Sequence, residues 1–130
     1  MYKVYIDSTI HNDWNKNFNP LLCEAIEKRG LACYLPQRNT NQQTNRVEIF
    51  NQNHAAMEKV NIVLAVANNE SPNLGVEIGY AKKLNKRVII LAEEGHNIPL
   101  MAEYLADSIL SVDDLEKISD YIGELILLLK

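Results

Sequence analysis

The stretch NIVLAVANNESPNLGVEIGYA, residues 61–81, decides the fold. Its first part, residues 62–67, is an apolar and largely β-branched run of the length expected for a buried parallel strand. A polar break follows over residues 68–73. The apolar positions after the break begin a helical pattern: Leu74, Val76, Ile78 and Ala81. This order predicts a strand followed by a helix, with Glu77 in or near the first helical turn.

The position of Glu77 makes it a candidate for chemistry. Ligands of open α/β sheets bind beyond the carboxyl ends of the strands, where this helix is expected to begin. The helix dipole and the free amides of a first turn favour an ionised carboxylate there. Glu77 is therefore suited to act as an anionic nucleophile or base, and an ordinary glutamate at a helix start is the alternative.

Strand and helix patterns alternate along the whole chain, without an internal repeat or a low-complexity linker. The expected strands are residues 3–6, 31–35, 62–67, 87–92 and 108–110. We therefore predict one domain over residues 1–130. Its fold class is α/β, a five-stranded parallel sheet of order 2-1-3-4-5 in a flavodoxin-like or Rossmann-like three-layer sandwich, because right-handed crossovers leave few competing topologies.

Capping residues set the expected boundaries of the first helices. Asn19 is expected as the N-cap of the first helix, with Pro20 at its first position and Gly30 ending it. Residues 37–46 contain no apolar side chain and are expected to form a loop that reaches over a site. A helix over residues 47–60 follows. Its expected inward positions are Val47, Phe50, Met57 and Val60.

The last third of the chain predicts two more helices. A short one is expected over residues 97–105, and the last opens at Ser111, with Asp114 completing a capping-box pattern. The apolar positions of the last helix keep helical spacing: Leu115, Ile118, Ile122, Leu125, Ile126 and Leu129. Leu127 and Leu128 widen this face, either to pack on another subunit or as fraying residues at a terminus.

Composition narrows the functional class. The hydrophobic fraction of 47% and the charged fraction of 23% are typical of a globular protein. A net charge of -4 disfavours a nucleic-acid partner. The sequence shows no signal peptide and no apolar run of membrane-spanning length, so we expect a cytoplasmic protein without a membrane partner. Cys23 and Cys33 have no metal-type spacing and are expected to be buried thiols.

The loops after strands one to four are expected to meet in one crevice. The candidates there are Tyr5, Asp7, Ser8, residues 37–45, Ser71, Asn73, Glu77 and residues 93–97. The chain has no phosphate-binding glycine motif and no zinc-type His and Cys spacing, so we expect no cofactor and no metal. His96 is a candidate acid, whereas His11 and His54 are expected to be solvated. A carboxylate beside hydroxyls and amides suits sugar chemistry.

Several segments resemble a known family when taken in order. They are KVY at residues 3–5, LPQRN at 35–39, NIVLAV at 61–66, SPNLGVEIGYA at 71–81 and KRVIIL at 86–91. This pattern resembles the nucleoside 2-deoxyribosyltransferase family and the related deoxynucleoside 5′-monophosphate N-glycosidases, and residues 74–81 are its most specific part. The resemblance implies the α/β fold, a nucleoside or nucleotide as the small-molecule partner, and a homodimer or higher homo-oligomer in which one subunit completes its neighbour's site.

The resemblance also implies roles for individual residues. Glu77 falls on the nucleophile that attacks C1′, and Tyr5 on the tyrosine that orients this glutamate. Ser71 occupies the position where the transferases have an aspartate and the N-glycosidases a serine that contacts the 5′-phosphate. Asn73 and Gly75, in the same motif, are expected to bind substrate.

The chain departs from the family pattern at the leaving-group side. Asn53 replaces an aspartate that helps to protonate the departing base, and an amide cannot deliver a proton. Pro99 replaces an Asn or Ser that the neighbouring subunit gives, so Asn97 is expected to supply that hydrogen bond while Met101 lines the base pocket.

Near the first strand, Asp7 and Ser8 stand where the family has a small Gly or Ala. This is expected to alter the sugar or phosphate end of the pocket.

Three functions stay open from the sequence. The chain is a transferase that moves the sugar to another base through a glycosyl ester on Glu77, an N-glycosidase that ends in hydrolysis, or a nucleotide-binding protein that has lost catalysis. The base, the sugar and the need for a 5′-phosphate are not fixed by the sequence, although Arg38 and Arg46 are candidates to bind a phosphate.

Overall fold

The computed structural model describes residues 1–68 and 71–130. It contains a five-stranded sheet of order β2-β1-β3-β4-β5, in which all neighbouring strands are parallel. The strands are β1 (Val4–Asp7), β2 (Cys33–Tyr34), β3 (Ile62–Val66), β4 (Arg87–Glu93) and β5 (Ser108–Val112). The predicted fold class and strand order are therefore confirmed.

Helices cover both faces of the sheet. They are α1 (Asp13–Glu27), α2 (Pro36–Asn39), α3 (Arg46–Lys59), α4 (Pro72–Lys83), α5 (Leu100–Leu105) and α6 (Ile118–Leu129), the last preceded by a 3₁₀ turn, Leu115–Lys117. Buried side chains of α1 and α6 pack on one face, and those of α3, α4 and α5 pack on the other. The sheet is thus the middle layer of three.

Strand β3 shows why the apolar run is continuous. Ile62, Leu64 and Val66 belong to the cluster that contains α1 and α6. Val63 and Ala65 belong to the opposite cluster. Because successive side chains of a strand point to opposite faces and both faces are covered by helices, every position of β3 is buried.

The predicted start of the first helix is wrong. Helix α1 begins at Asp13, where the Asn12 side chain accepts a hydrogen bond of 2.8 Å from the amide of Asn15. Pro20 therefore lies inside the helix. A proline interior to a helix leaves the carbonyl four residues earlier without its donor. Here that carbonyl, of Lys16, accepts a hydrogen bond of 3.0 Å from Gln37 Nε2, which satisfies it. Gly30 follows the helix with φ of +90°, as a stop signal requires.

Two predicted inward positions are exposed. Val47 and Phe50 of α3 are 68% and 54% exposed, whereas Met57 and Val60 are buried as predicted. The first turns of α3 border the cavity described below, which Arg46, Ile49 and Phe50 line. Val76 of α4 is 69% exposed, because the inward face of this helix is formed by its other apolar residues. Those residues are Leu74, Ile78 and Ala81.

The end of the chain differs from the prediction only at its cap. Ser111 lies in β5, where it pairs with Ala92, and Asp114 caps the 3₁₀ turn by accepting a hydrogen bond of 2.9 Å from the amide of Glu116. The predicted apolar positions of the last helix are all buried: Leu115, Ile118, Ile122, Leu125, Ile126 and Leu129.

The two polar segments were predicted as loops. Residues 37–46 begin inside α2, so only their later part is a loop. The polar break at residues 68–73 lies partly outside the described residues. Within residues 1–68 and 71–130, no helix has the length and apolar character needed to span a bilayer.

Candidate active site

A cavity of about 410 Å³ opens at the carboxyl ends of β1 and β3. This volume falls in the range of about 300–1,000 Å³ that is typical of small-molecule sites. Its walls come from β1 and the residues after it, from the loop before α3, and from the first turns of α3 and α4. The polar lining residues include Tyr5, Asp7, Ser8, Thr9, His11, Gln42, Arg46, Asn53, Asn68, Ser71, Asn73 and Glu77.

The cavity brings together most of the residues predicted for the site. Those that line it are Tyr5, Asp7, Ser8, Asn53, Ser71, Asn73 and Glu77. Gly75, Asn97 and Met101 do not line it within the single chain. Met101 lies on α5 and is 70% exposed, so only a neighbouring chain could bring it to a cavity. Gln42 and Arg46 do reach the cavity from the segment predicted to cover it.

Glu77 is not at the helix start. It is the sixth residue of α4, which begins at Pro72, and so it lies in the second turn. Free backbone amides belong to the first turn of a helix, so the expectation that they hold Glu77 ionised is wrong. Burial raises the pKa of Glu77, and a hydrogen bond with the Asp7 side chain acts against this rise. The nearest determinant of the charge on Glu77 is therefore Asp7.

Asp7 is a buried partner of Glu77. It is the last residue of β1, and only 4% of its surface is exposed. Burial raises the pKa of Asp7 well above its usual range, and the charge of Glu77 and the hydrogen bond between the two carboxyl groups raise it further. Among the described residues, no donor reaches Asp7 Oδ2. Two carboxyl groups in contact cannot both ionise at low cost, so the pair shares a proton.

Tyr5 lies beneath the two carboxyl groups. It is buried on β1, and its ring stacks on Tyr34 with the ring centroids 5.6 Å apart. Burial raises the pKa of Tyr5, and the charges of Glu77 and Asp7 add to this effect. Its hydroxyl is therefore protonated. In the described structure no hydrogen bond joins it to Glu77, so the orienting role of Tyr5 stays a prediction.

A chain of side-chain hydrogen bonds orients Asn53. The Thr40 hydroxyl, which is buried, donates to Asn53 Oδ1. The Tyr34 hydroxyl must then donate to Thr40, because Thr40 has a single proton. With its oxygen occupied, Asn53 offers its amide N–H groups to the cavity. Asn53 can therefore act as a donor to a ligand in the cavity, and Thr40, which the sequence analysis did not single out, fixes its direction.

Buried asparagines hold the loop after β1. Asn15 and Asn19 are both 0% exposed, although asparagine is usually a surface residue. Ser8 donates to Asn19 Oδ1 over 2.9 Å and accepts from Asn15 Nδ2 over 3.0 Å. Asn19 Nδ2 also donates to the Thr9 carbonyl and to Gln37 Oε1. The Ser8 hydroxyl is thus occupied by the scaffold, and Asn19 positions this loop instead of capping a helix.

The cations and polar groups at the rim differ in their availability. Arg38 pairs with Glu27 through two hydrogen bonds, of 2.8 and 3.1 Å, and also donates to the Cys33 carbonyl. Arg46, at the start of α3, lines the cavity and forms no ion pair within the described part of the chain. Ser71, at the N-cap position of α4, makes no side-chain capping bond, so its hydroxyl is free to face a ligand.

The loop after β4 does not join the cavity. Glu93 accepts a hydrogen bond of 2.9 Å from the amide of Leu115, and the Glu94 amide bonds to the Val112 carbonyl. These bonds turn the loop toward β5 and the start of α6. His96 consequently lies outside the cavity, which argues against it as the acid. His54, expected to be solvated, is bonded to Glu58 and Tyr80.

The described residues suggest no metal site. Within residues 1–68 and 71–130, no group of three or more His, Cys, Asp or Glu side chains could hold a metal ion. The arrangement at the cavity is a carboxyl pair, a buried tyrosine, an oriented amide and a free arginine. Such a set provides a nucleophile and hydrogen-bond donors.

Solved structures of other proteins share this fold. The 2-deoxyribosyltransferase of Bacillus psychrosaccharolyticus has a TM-score of 0.74 and 18% identity, with 92% of this chain and 91% of that chain covered. A conserved protein of Enterococcus faecalis has a TM-score of 0.76 and 16% identity over 95% and 98% of the two chains. The CMP N-glycosidase of Clostridium botulinum has a TM-score of 0.70 and 18% identity over 96% and 98%.

Sequence comparison identifies the family. No curated protein matches the chain. A family model described as nucleoside 2-deoxyribosyltransferase matches residues 4–120, which is most of the chain and includes every cavity residue discussed above. The chain belongs to the nucleoside 2-deoxyribosyltransferase family.

Proposed function

We propose that the protein breaks the N-glycosidic bond of a nucleoside through Glu77 and transfers the sugar to another base. In the first step a Glu77 oxygen bonds to C1′, and the electron pair of the C1′–N bond leaves with the base, which takes up a proton. In the second step a nitrogen of the incoming base bonds to C1′ and gives up its proton to a basic group of the site or to water, and Glu77 leaves as a carboxylate. This is covalent catalysis with retention, as in other two-carboxyl glycosidases.

The observation that carries this proposal is the half-buried carboxyl group of Glu77 at the wall of the cavity. Its only described side-chain hydrogen bond is with Asp7, and that bond lowers the pKa of Glu77, which favours the nucleophilic form. Asn53 faces the same cavity with amide donors that suit the ring nitrogen or carbonyl oxygen of a base. Nucleophile and base-recognition groups thus lie around a single space.

The test is trapping of the glycosyl ester. A 2′-fluoro nucleoside slows the second step, so we expect intact-mass spectrometry to detect a sugar adduct on wild type and on Glu124→Gln, but not on Glu77→Gln. Glu124 is an exposed residue of α6 and serves as the matched control. Circular dichroism should show all three proteins folded. An adduct that persists in Glu77→Gln, or none in wild type across a panel of bases, would contradict the proposal.

A second candidate is hydrolysis of a nucleoside 5′-monophosphate. The observation that favours it is Arg46, a cavity cation without an ion-pair partner in the described residues, beside the free Ser71 hydroxyl. Arginine is well suited to bind phosphate. The 5′-phosphate of a nucleotide in the cavity would bind to Arg46 and Ser71.

One product assay separates transfer from hydrolysis. Each nucleoside and nucleotide of a mixed panel is incubated with and without a second free base. Exchanged nucleoside supports transfer, whereas free sugar or sugar phosphate that is unaffected by the second base supports hydrolysis. Saturable binding by calorimetry without any product would instead support a binding protein, and Asn53→Asp would then test whether a restored acid awakens turnover.

We also propose that the protein acts as a homodimer or higher homo-oligomer. Large apolar side chains are exposed on α3, α4 and α5: Val47, Phe50, Val76, Leu100, Met101 and Tyr104. These helices cover the same face of the sheet, so a second copy could bury their side chains together. On α6, Leu127 is exposed but Leu128 packs against the core, so α6 offers the smaller apolar surface.

A further inference from the structure

The carboxyl pair formed by Asp7 and Glu77 implies more than nucleophilic attack. Asp7 is almost fully buried, and no donor from the described residues reaches its Oδ2. Both residues line the same cavity, and a hydrogen bond between their carboxyl groups contributes to the raised pKa of Asp7. A hydrogen bond between two carboxyl groups needs one proton, so the pair carries one proton and one negative charge.

The proton belongs to Asp7. Asp7 is more deeply buried than Glu77, which is only half-buried, and burial disfavours the charged form. The hydrogen bond between them raises the pKa of Asp7 and lowers that of Glu77. Asp7 therefore donates to an ionised Glu77, which fixes one Glu77 oxygen and leaves the other for attack on C1′.

The other groups facing the cavity are weaker proton sources. Asn53 has an amide, which cannot transfer a proton, and Arg46 has a guanidinium, a group that does not act as a general acid in proteins. Burial raises the pKa of Tyr5, which makes its hydroxyl a poor acid. His11 is exposed at the rim and is the single rival among the described titratable residues of the cavity.

We propose that Asp7 is the acid–base residue of this site: it gives its proton to the departing base and later takes one from the incoming nucleophile. This inference rests on the proposed function of Glu77. As the Glu77 oxygen bonds to C1′, the electron pair of the C1′–N bond moves to the base nitrogen, and the Asp7 proton neutralises the base. In the second step the Asp7 carboxylate accepts the proton of a base N–H or a water that attacks C1′, and Glu77 leaves as a carboxylate.

The pair makes Asp7 a stronger acid when the proton is needed. Besides burial, two causes raise the pKa of Asp7, namely the charge of Glu77 and the hydrogen bond to it. Both vanish once the Glu77 carboxylate has become an ester. Formation of the bond between Glu77 and C1′ therefore lowers the pKa of Asp7 and releases its proton. Departure of Glu77 in the second step restores the original protonation of the pair.

The test compares two leaving groups in Asp7→Asn. 2′-Deoxyguanosine needs a proton for its base to leave, whereas N7-methyl-2′-deoxyguanosine releases an already neutral base. We expect Asp7→Asn to slow single-turnover release of guanine by about 10²–10⁴-fold, the usual size of general acid assistance. Release of N7-methylguanine should stay within about threefold, by the same reasoning. Because the second step then lacks its base, the glycosyl ester on Glu77 should accumulate and be detected by mass spectrometry.

Each other outcome overturns the inference in a distinguishable way. Equal slowing of both nucleosides would make Asp7 a positioning residue only. Selective slowing in His11→Gln but not in Asp7→Asn would assign the acid to His11. Release of no base by wild type, from these two nucleosides or from any other member of the mixed panel, would overturn the proposed function together with this inference.

A measurement on the wild-type protein tests the inference even if Asp7→Asn does not fold. Infrared spectra of protein with ¹³C-labelled aspartate should show a protonated carboxyl band at neutral pH. Absence of that band would overturn the assignment of the proton to Asp7.

Discussion

The shared proton predicts an unusual pH dependence of stability. In Asp7→Asn the titrating carboxyl group is replaced by an amide of nearly the same shape, which can still donate a hydrogen bond to Glu77. The pKa of Asp7 is raised in the folded chain by burial and by Glu77. The folded wild type therefore keeps a proton that the unfolded chain has already lost, and the variant does not.

The sign and size follow from this difference in bound protons. A carboxyl group whose pKa is raised on folding contributes stability below its unfolded pKa, and this contribution falls as the pH rises toward the folded pKa. One extra proton in the folded state gives a slope of about -1.4 kcal/mol per pH unit. Where the folded chain keeps the Asp7 proton, wild type should thus lose up to about 1.4 kcal/mol relative to Asp7→Asn for each pH unit above the unfolded aspartate pKa.

Urea unfolding of both proteins at several pH values between about 5 and 7 measures the difference directly, because an unfolded aspartate has lost its proton at the lower limit. Glu77 is present in both proteins, so the difference reports the loss of the Asp7 carboxyl together with the change that this loss causes in Glu77. Asp107→Asn is a control of opposite sign. Partial burial raises the pKa of Asp107, but hydrogen bonds from the Val88 amide and Lys82 outweigh this and lower it. Asp107 should therefore lose its contribution only as the pH falls below the unfolded aspartate pKa of about 4, so this control is also measured in that lower range. Parallel stability curves for wild type and Asp7→Asn would refute the shared proton.

Two further predictions concern the substrate and the assembly. Arg46→Gln should weaken binding of a nucleoside 5′-monophosphate by about tenfold or more, the effect of losing a charge-assisted hydrogen bond, while binding of the nucleoside changes little. Calorimetry measures both, with exposed Lys28→Gln as the charge control, and equal weakening of the two ligands would count against a phosphate site at Arg46. Tyr104→Asp should shift the oligomer toward monomer in light scattering, because it puts a charge into an apolar interface. Leu127→Asp on α6 should not, and the reverse result would move the interface to α6.

Much of the fold could be predicted because parallel sheets have a strong sequence signal. Strands covered on both faces are apolar at every position, as in β3, or at every position except the two ends, as in β4, and alternation with helices then leaves few topologies. Cap positions were less predictable, since tertiary contacts decide them. The Asn19–Pro20 pair has the pattern of a helix start, yet Gln37 supplies the hydrogen bond that makes Pro20 tolerable inside α1. That bond joins residues from separate elements, so local spacing does not encode it.

The site was predictable in composition but not in its internal contacts. Lining residues follow from topology, because the ends of β1 and β3 and the start of α4 must meet at one edge of the sheet. Whether two of them touch depends on the tilt of α4 and on the length of β1. Asp7 was therefore expected only to reshape the sugar or phosphate end of the pocket, whereas the structure brings it against Glu77.

The pairing of Asp7 with Glu77 changes the interpretation of the positions at which the chain departs from the family pattern. Considered alone, Asn53 suggests a site without an acid. In the structure Asn53 is held by Thr40 as a donor, and a second carboxyl group, that of Asp7, lines the same cavity as Glu77. Acid and nucleophile thus belong to one hydrogen-bonded pair, so their protonation states are linked. In such a pair, Glu77 loses its negative charge when it forms the ester, and this loss lowers the pKa of Asp7 and releases the proton that the base needs. No third group has to change its pKa.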